Sequence, residues 1–383
     1  MKKTMTMFMI FAMIFFLVAC ASGGDALPDS YRIALVTALT GPVADSGTQG
    51  RYASELAVER VNAAGGINGA PIVIDIFDDR TDVAEAALVA QRIAENRNYL
   101  AVVGHLFSSV ALAALPIYQE AGLPFFLTTA NSMSIDGDNQ IRMCLPGIVQ
   151  GPQMAVFAAE TLGSGKIAFI YAMGDFGVTM IEQISLKLEE IGTSEIVMSE
   201  TFAAGTDRDF SAQLTKVLAA GADTVICIGN YTDVGMIIAQ AGRIGGFENI
   251  NFVGDASCLD STFVTRVMES GLEENVYLVC AFNPYDDRQV YIDFFNDFNE
   301  RYNLGDPTEP AAYFYDQIIV ISEALKAGAT KETLVSTIKR MTFTDMLSAG
   351  GEMTFDELGN RGGYEMPIVV VRDGRFVTWH GND

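Results

Sequence analysis

Along most of this chain, short apolar runs of strand length alternate with longer stretches whose apolar residues recur at helical spacing. Tyr31–Leu39 predicts a first strand, followed by the turn-rich loop Thr40–Gly47. A helix through Ala53, Leu56, Ala57, Val58 and Val61 stops at Ala64-Gly65-Gly66. Ile72–Phe77 predicts the second strand, ended by Asp78-Asp79-Arg80, and the helix over 83–95 leads to a strand over 100–103. The alternation resumes with strands over 167–171, 195–199, 224–228 and 251–253, and with helices over 178–191, 210–220 and 234–244. This order of elements predicts a doubly wound α/β protein.

The stretch from Val103 to Asn131 organises the functional reading. Two short apolar runs, 100–103 and 125–127, flank a helix predicted over 110–120, and each is followed by small polar residues. Such a strand–helix–strand unit pairs its strands in parallel, and ligands in open α/β sheets sit beyond the strands' carboxyl ends. Ser108, Ser109, Thr128, Thr129, Ala130 and Asn131 then share one rim. Hydroxyls and free N–H groups at a helix start suit a carboxylate. A purely structural role, serines capping the helix and threonines ending a strand, fits the same spacing.

The alternation breaks at Asn139–Pro152, which reads as a Gly- and Pro-containing interruption, and again where a strand near 277–285 runs into Asn283-Pro284. Two aromatic-rich helices follow, near 290–302 and 311–327, and the C-terminal part reads as β-hairpins with Asp373-Gly374 as a tight turn. Crossings near 145–150, 280–284 and 355–365 predict two α/β lobes, 31–146 plus 281–355 and 147–280 plus 356–383. A cleft between lobes is a common place to enclose a small ligand.

The N-terminus changes the picture. Lys2 and Lys3 precede a mostly apolar run and then Leu17-Val18-Ala19-Cys20, the form of a signal peptide over 1–19. The cysteine after Leu-Val-Ala resembles the lipobox of bacterial lipoproteins, in which Cys20 becomes the lipidated first residue and 20–30 a tether. An ordinary secretory signal is the alternative. No later run approaches the apolar length of a membrane span, so the remainder is expected to be soluble and extracytoplasmic.

Without the signal's two lysines, 22 Lys and Arg face 48 Asp and Glu, a net charge of about −26. With no basic cluster, nucleic acid is disfavoured as a partner. Cys144, Cys227, Cys258 and Cys280 form no Cys-x-x-Cys pair, and the histidines are His105 and His380, so no zinc or other metal site is expected. The cysteines' pairing stays open. No Gly-x-Ser-x-Gly elbow or phosphate-cradling Gly-rich loop is present, and Gly242–Gly246 follows a helix; no enzyme and no cofactor are expected. The pairs Asp78-Asp79 and Asp286-Asp287 read as solvated loops. At the strand ends of the second lobe, Phe176, Tyr231 and Asp255 face the same rim, and an aromatic pair with a carboxylate suits an ammonium group on an apolar body. Core packing for Phe176, helix capping by Asp233 and a turn at Asp255 are the plainer alternatives.

Five runs taken together resemble a known family: Leu39–Gly47, Val61–Gly69, Phe77–Asp79, Val103–Ser109 and Asp207–Leu214. They resemble the branched-chain amino acid ABC transporter binding proteins, type I periplasmic binding proteins of the leucine/isoleucine/valine class, in order from about 31 to 371. The resemblance implies two Rossmann-like lobes joined by three crossover strands, and a hinge closure that traps one small molecule for a membrane permease. It implies that Ser108, Thr129 and Asn131 hold a ligand carboxylate and that Phe176 and Tyr231 are second-lobe aromatics. The family's ammonium-binding acid falls at or next to Asp255, with Ala256 at the gapless position. Ser46 stands where leucine binders carry an aromatic wall, and Phe107 replaces a cysteine of their first-lobe disulfide. The chain is thus expected to be a lipid-anchored, monomeric solute-binding protein for an aliphatic or small polar amino acid, serving an ABC permease. An amide, urea or aromatic acid ligand, a receptor module, or an extracytoplasmic enzyme are the alternatives.

Overall fold

The computed structural model describes residues 28–132, 134–145, 147–280, 282, 288–348, 352–362 and 366–381. The signal segment, Cys20, Asn283-Pro284 and Asp286-Asp287 lie outside them. Among the described residues no helix is long and apolar enough to cross a membrane.

The first sheet holds β1 (Tyr31–Thr37), β2 (Ile72–Asp78), β3 (Tyr99–Val103), β4 (Phe125–Leu127) and β5 (Gln140–Arg142), in the order β2-β1-β3-β4-β5 and all parallel. Its crossovers are α1 (Ala44–Ala63), α2 (Val83–Glu95) and α3 (Ser108–Glu120). The second sheet has the order β14-β13-β10-β9-β8-β6-β7. Its strands are β6 (Lys166–Ala172), β7 (Glu195–Phe202), β8 (Thr224–Ile228), β9 (Asn251–Asp255), β10 (Val276–Val279), β13 (Ile368–Arg372) and β14 (Arg375–Thr378). Helices α4 (Gly147–Val156), α5 (Asp175–Ile191), α6 (Ser211–Ala220), α7 (Tyr231–Ile244) and α8 (Ser261–Ser270) belong to this half of the chain. The strand β8 is buried at every position, because helices cover both faces of a parallel sheet and no polar alternation survives.

After β10 the chain returns to α1 with α9 (Gln289–Tyr302), α10 (Glu309–Lys326) and α11 (Leu334–Ile338). The helix α10 is fixed to the first sheet: Gln317 donates to the Phe126 carbonyl at 3.0 Å and accepts from Thr128 Oγ1 at 3.1 Å. The short pair β11 (Thr354–Phe355) and β12 (Arg361–Gly362) lies beside β5, where Arg142 bridges Asn360. Residues 360–362 therefore stand with the first sheet, somewhat past the boundary expected at 355.

Three helices, α4, α8 and the short α11, depart from the expectation. The interruption at 139–152 holds β5 and the start of α4, with Pro152 inside the helix, running on into a π-helical turn over Phe157–Thr161. Gly151 serves packing there, since a Cβ on it would stand 2.7 Å from the Gln183 Cβ of α5. The helix α8 was not expected at all, although Asp260 caps it by accepting from Thr262 N and Phe263, Val264 and Val267 give it a buried stripe.

Candidate functional site

Both lobes line one cavity of roughly 230 Å³, below the range of about 300–1,000 Å³ typical of pockets for drug-sized ligands. Ser46, Phe107, Ser108, Ser109, Thr129 and Asn131 line it from the first lobe, and Phe176 and Tyr231 from the second.

The start of α3 is not capped by a side chain. Its N-cap is Phe107, which supplies no side-chain cap. Ser108 Oγ instead accepts from Ser132 N at 3.2 Å, and Thr129 Oγ1 donates to the Leu106 carbonyl at 2.5 Å. The serines are thus the first residues of the helix; both line the cavity, and no side chain caps the helix's opening N–H groups. Asn131 Nδ2 donates to Gln150 at 3.4 Å, and its buried Oδ1 has no partner among the described residues.

Three expected rim residues fall elsewhere. Thr128 is buried against Gln317 and is not on the cavity wall. Ala130 packs in the first-lobe core, and its carbonyl accepts from Arg142 at 2.7 Å. Asp255 is the last residue of β9, buried behind the wall, where it accepts from Ser257 N at 2.8 Å; Ala256 and Ser257 line the cavity in its place. Burial pushes the Asp255 carboxyl up to about 6, against the lowering effect of the Ser257 N–H. Asp233 does not cap α7; Asn230 does, accepting from Thr232 N and Asp233 N, while Asp233 accepts from Gly205 N.

The second lobe presents its aromatics from the first turns of α5 and α7. Tyr231 is buried, and its hydroxyl is pushed up by burial and by the charges of Asp260 and Asp45. Both lobes seat a helix start by the same device. A Cβ on Gly47 of α1 would meet the Ala38 carbonyl at 1.8 Å, and one on Gly177 of α5 would meet the Ala172 carbonyl at 2.1 Å.

An acid that sequence reasoning missed does line the cavity. Glu309, the first residue of α10, is 7 % exposed and accepts from Tyr313 Oη at 2.7 Å. Burial pushes its carboxyl up to about 7; the Tyr313 bond and the charge of Arg361 pull it down, and Asp255 pushes it up. Its only signal in the sequence is an acid at Thr308-Glu309-Pro310, where an otherwise apolar and aromatic helix begins.

Deeper in the first lobe, His105 Nδ1 lies 2.6 Å from Asp79 Oδ2 and its Nε2 3.3 Å from Tyr118 Oη, all buried and off the cavity wall. The four described cysteines are free and buried, and Cys144 touches the cavity. Among the described residues no group of His, Cys, Asp and Glu is placed to hold a metal.

The family model described as "Periplasmic binding protein" matches residues 30–375. The chain is 27 % identical, over 89 % of each sequence, to a leucine-, isoleucine-, valine-, threonine- and alanine-binding protein of Pseudomonas aeruginosa. It shares the fold of a branched-chain amino acid transporter substrate binding protein from Streptococcus pneumoniae, solved with isoleucine, at 24 % identity and a TM-score of 0.79 over 91 % of this chain and 99 % of that one. It also shares the fold of an ABC transporter solute binding protein from Rhodopseudomonas palustris, solved with 3,4-dihydroxybenzoic acid, at 20 % identity and a TM-score of 0.82 over 93 % and 98 % of the two chains. With the match running through both lobes, the chain belongs to the periplasmic binding protein family and is a solute-binding protein rather than an enzyme.

Proposed function

We propose that this protein captures an aliphatic or small polar amino acid in the interlobe cleft and delivers it to an ABC permease. One observation carries the reading: an uncapped helix start with hydroxyls at Ser108, Ser109 and Thr129 faces two aromatics, Phe176 and Tyr231, across a cavity of amino-acid size. The first wall suits a carboxylate and the second an apolar body. What the Pseudomonas relative is named for binding supports the same class.

Ligand docks first on the lobe that holds Ser108 and Thr129. The closed form is then favoured because only it adds Phe176 and Tyr231, a population shift that a permease reads as a change of shape. The lobes are taken as 31–146 with the segment after 281, and 147–280 with the C-terminal strands, and the protein as a monomer. Cys20 is taken as the lipidated residue that holds it at the outer face of the membrane. In a membrane fractionation, Cys20→Ser should then move the protein into the soluble fraction.

Isothermal titration of residues 21–383, unfolded and refolded to strip bound ligand, tests the ligand class. The panel is the twenty amino acids, their amides, urea and simple aromatic acids. One-to-one binding of an aliphatic or small polar amino acid is the expected result. Binding of amides or aromatic acids alone would keep the transport role and change the ligand. That second reading draws on the position of Asp255 off the cavity wall and on the ligand of the Rhodopseudomonas neighbour.

A further inference from the structure

Two acids line the cavity wall, Asp175, which accepts from Ser134, and Glu309, and among the described residues no cation is paired with Glu309. Arg361 lies nearest in its electrostatic surroundings, but its guanidinium sits over the Tyr313 ring at 5.8 Å and donates to the Ser348 and Met143 carbonyls. Among the described residues Tyr313 is the hydrogen-bond donor to Glu309, at 2.7 Å, and it reaches one of the two carboxylate oxygens. Beside it, Thr308 lines the same cavity, and its buried Oγ1 has no partner among the described residues. Charged and titratable groups facing Glu309 from the surrounding elements are Asp255 at the end of β9, Arg361 of β12, Cys144 after β5, Cys280 after β10 and Tyr313 of its own helix. The balance around this carboxylate is short of positive charge.

Burying a carboxylate without a cation is costly, and a cavity wall is where a ligand can relieve that cost. An ammonium group brings one positive charge and three N–H donors, which the free Glu309 oxygen and Thr308 Oγ1 can accept. We infer that Glu309 is the residue that receives the α-ammonium of the ligand, in the place that the sequence assigned to Asp255. This inference rests on the amino-acid reading above and adds the residue that sets its specificity.

The position has a mechanical consequence. Glu309 rides with the first lobe, because α10 is bonded to β4 through Gln317 and Thr308 N donates to Gln49 of α1 at 2.9 Å. Both charged ends of the ligand are then held by one lobe before closure, and the second lobe adds the aromatic cover. Binding is also linked to protons. Near pH 7 part of the Glu309 population is protonated in the empty cleft, and an arriving ammonium holds it ionised, so that ligand uptake releases protons.

The test uses residues 21–383 as wild type, Glu309→Gln, Asp255→Asn and Tyr313→Phe. Each is titrated calorimetrically with L-leucine, L-isoleucine, L-valine, L-threonine, L-alanine and the des-amino acid 4-methylpentanoate, at pH 6 and pH 8, in two buffers of different ionisation enthalpy. Glu309→Gln keeps the size of the side chain and an acceptor for Tyr313. It is expected to weaken the best amino acid by about 100-fold and to abolish the proton release, while Asp255→Asn stays within about threefold. Tyr313→Phe should leave a folded binder whose pH midpoint moves up, since the bond it removes favours ionised Glu309. Amino-acid binding that Glu309→Gln leaves within threefold, with proton release intact, overturns the Glu309 assignment and spares the transport reading. Wild type that takes 4-methylpentanoate as tightly as L-leucine overturns the ammonium site. Wild type that binds none of the amino acids overturns both readings together.

Discussion

Ser134 of the first lobe donates its hydroxyl to the Asp175 carboxylate at the start of α5 in the second, at 3.0 Å. This bond spans the mouth of the cleft, and Asp175 also lines the cavity. It exists only while the lobes are together, so its loss should act on release more than on capture. An exposed hydrogen bond contributes at the low end of about 0.5–1.5 kcal/mol. Ser134→Ala is therefore expected to speed ligand dissociation about two- to fivefold in stopped-flow fluorescence, with association unchanged. An unaltered dissociation rate would remove this bond from the closure mechanism.

Asp255 and Glu309 make the empty protein's stability depend on pH. Burial raises both carboxyls in the folded state, from 3.8 to about 6 and from 4.5 to about 7, and the Asp255 charge adds to the rise at Glu309. The folded state then binds more protons than the unfolded chain through this window. Stability is fully present below about pH 4, falls as pH rises toward 7, and stays at the lower level above it. Asp255→Asn removes one buried charge and keeps an acceptor for Ser257 N. Its melting temperature should exceed that of wild type at pH 8, by a free energy on the order of 2–3 kcal/mol, and converge with it near pH 4. An equal difference at both pH values would place the effect in packing instead of ionisation.

These two acids also mark where sequence reading reached its limit. The strand–helix order, the rim of Ser108, Ser109, Thr129 and Asn131, and the facing aromatics Phe176 and Tyr231 were legible, because periodicity and the strand-end rule fix them locally. Asp255 failed by one residue: the last residue of β9 points behind the wall, and Ala256 and Ser257 emerge onto it. Glu309 reaches the cavity through the packing of α10 on α1 and β4, contacts with partners more than 180 residues away in sequence. Gly147, Gly151 and Pro152 read as helix breakers, yet Gly151 is small so that α4 can approach α5. Close approach between helices leaves no periodic trace. The helix α8 was a different failure, since its cap at Asp260 was there to be read.

The paired glycines at the helix starts should be unequal to any other residue. A Cβ at Gly177 stands 2.1 Å from a backbone oxygen of β6, and neither strand nor helix can give way cheaply. Gly177→Ala is expected to lower stability by about 1–3 kcal/mol in urea unfolding. It should also weaken ligand binding, because Phe176 moves with the same turn. Full stability in this variant would show that the turn has room the backbone geometry denies.

The buried thiols give a check on the whole cleft. Burial pushes Cys144 and Cys227 up to about 12, and Cys258 and Cys280 well above the usual thiol range. At pH 8 almost no thiolate forms, and all four thiols are buried, Cys144 alone of them touching the cavity. Residues 21–383 should show no reactive thiol with a chromogenic disulfide reagent when folded and four after denaturation. Fewer than four in denaturant would mean that some of the cysteines are paired.

Tyr231 and Phe176 should divide the aromatic cover unevenly. Tyr231 is 9 % exposed and Phe176 only partly buried, so truncating Tyr231 uncovers more apolar surface in the closed form. Burying a side chain of this size contributes about 1.5–3 kcal/mol, which corresponds to about 10- to 150-fold in affinity. Tyr231→Ala is expected to fall within that range and Phe176→Ala below it. Both should leave the pH dependence of binding unchanged, because Glu309 belongs to the other lobe. Tyr231→Phe should retain most of the affinity, since among the described residues the hydroxyl has no hydrogen-bond partner and the ring supplies the contact. If Tyr231→Phe lost as much as Tyr231→Ala, the hydroxyl would be the contact and the ligand would present a polar group to the second lobe.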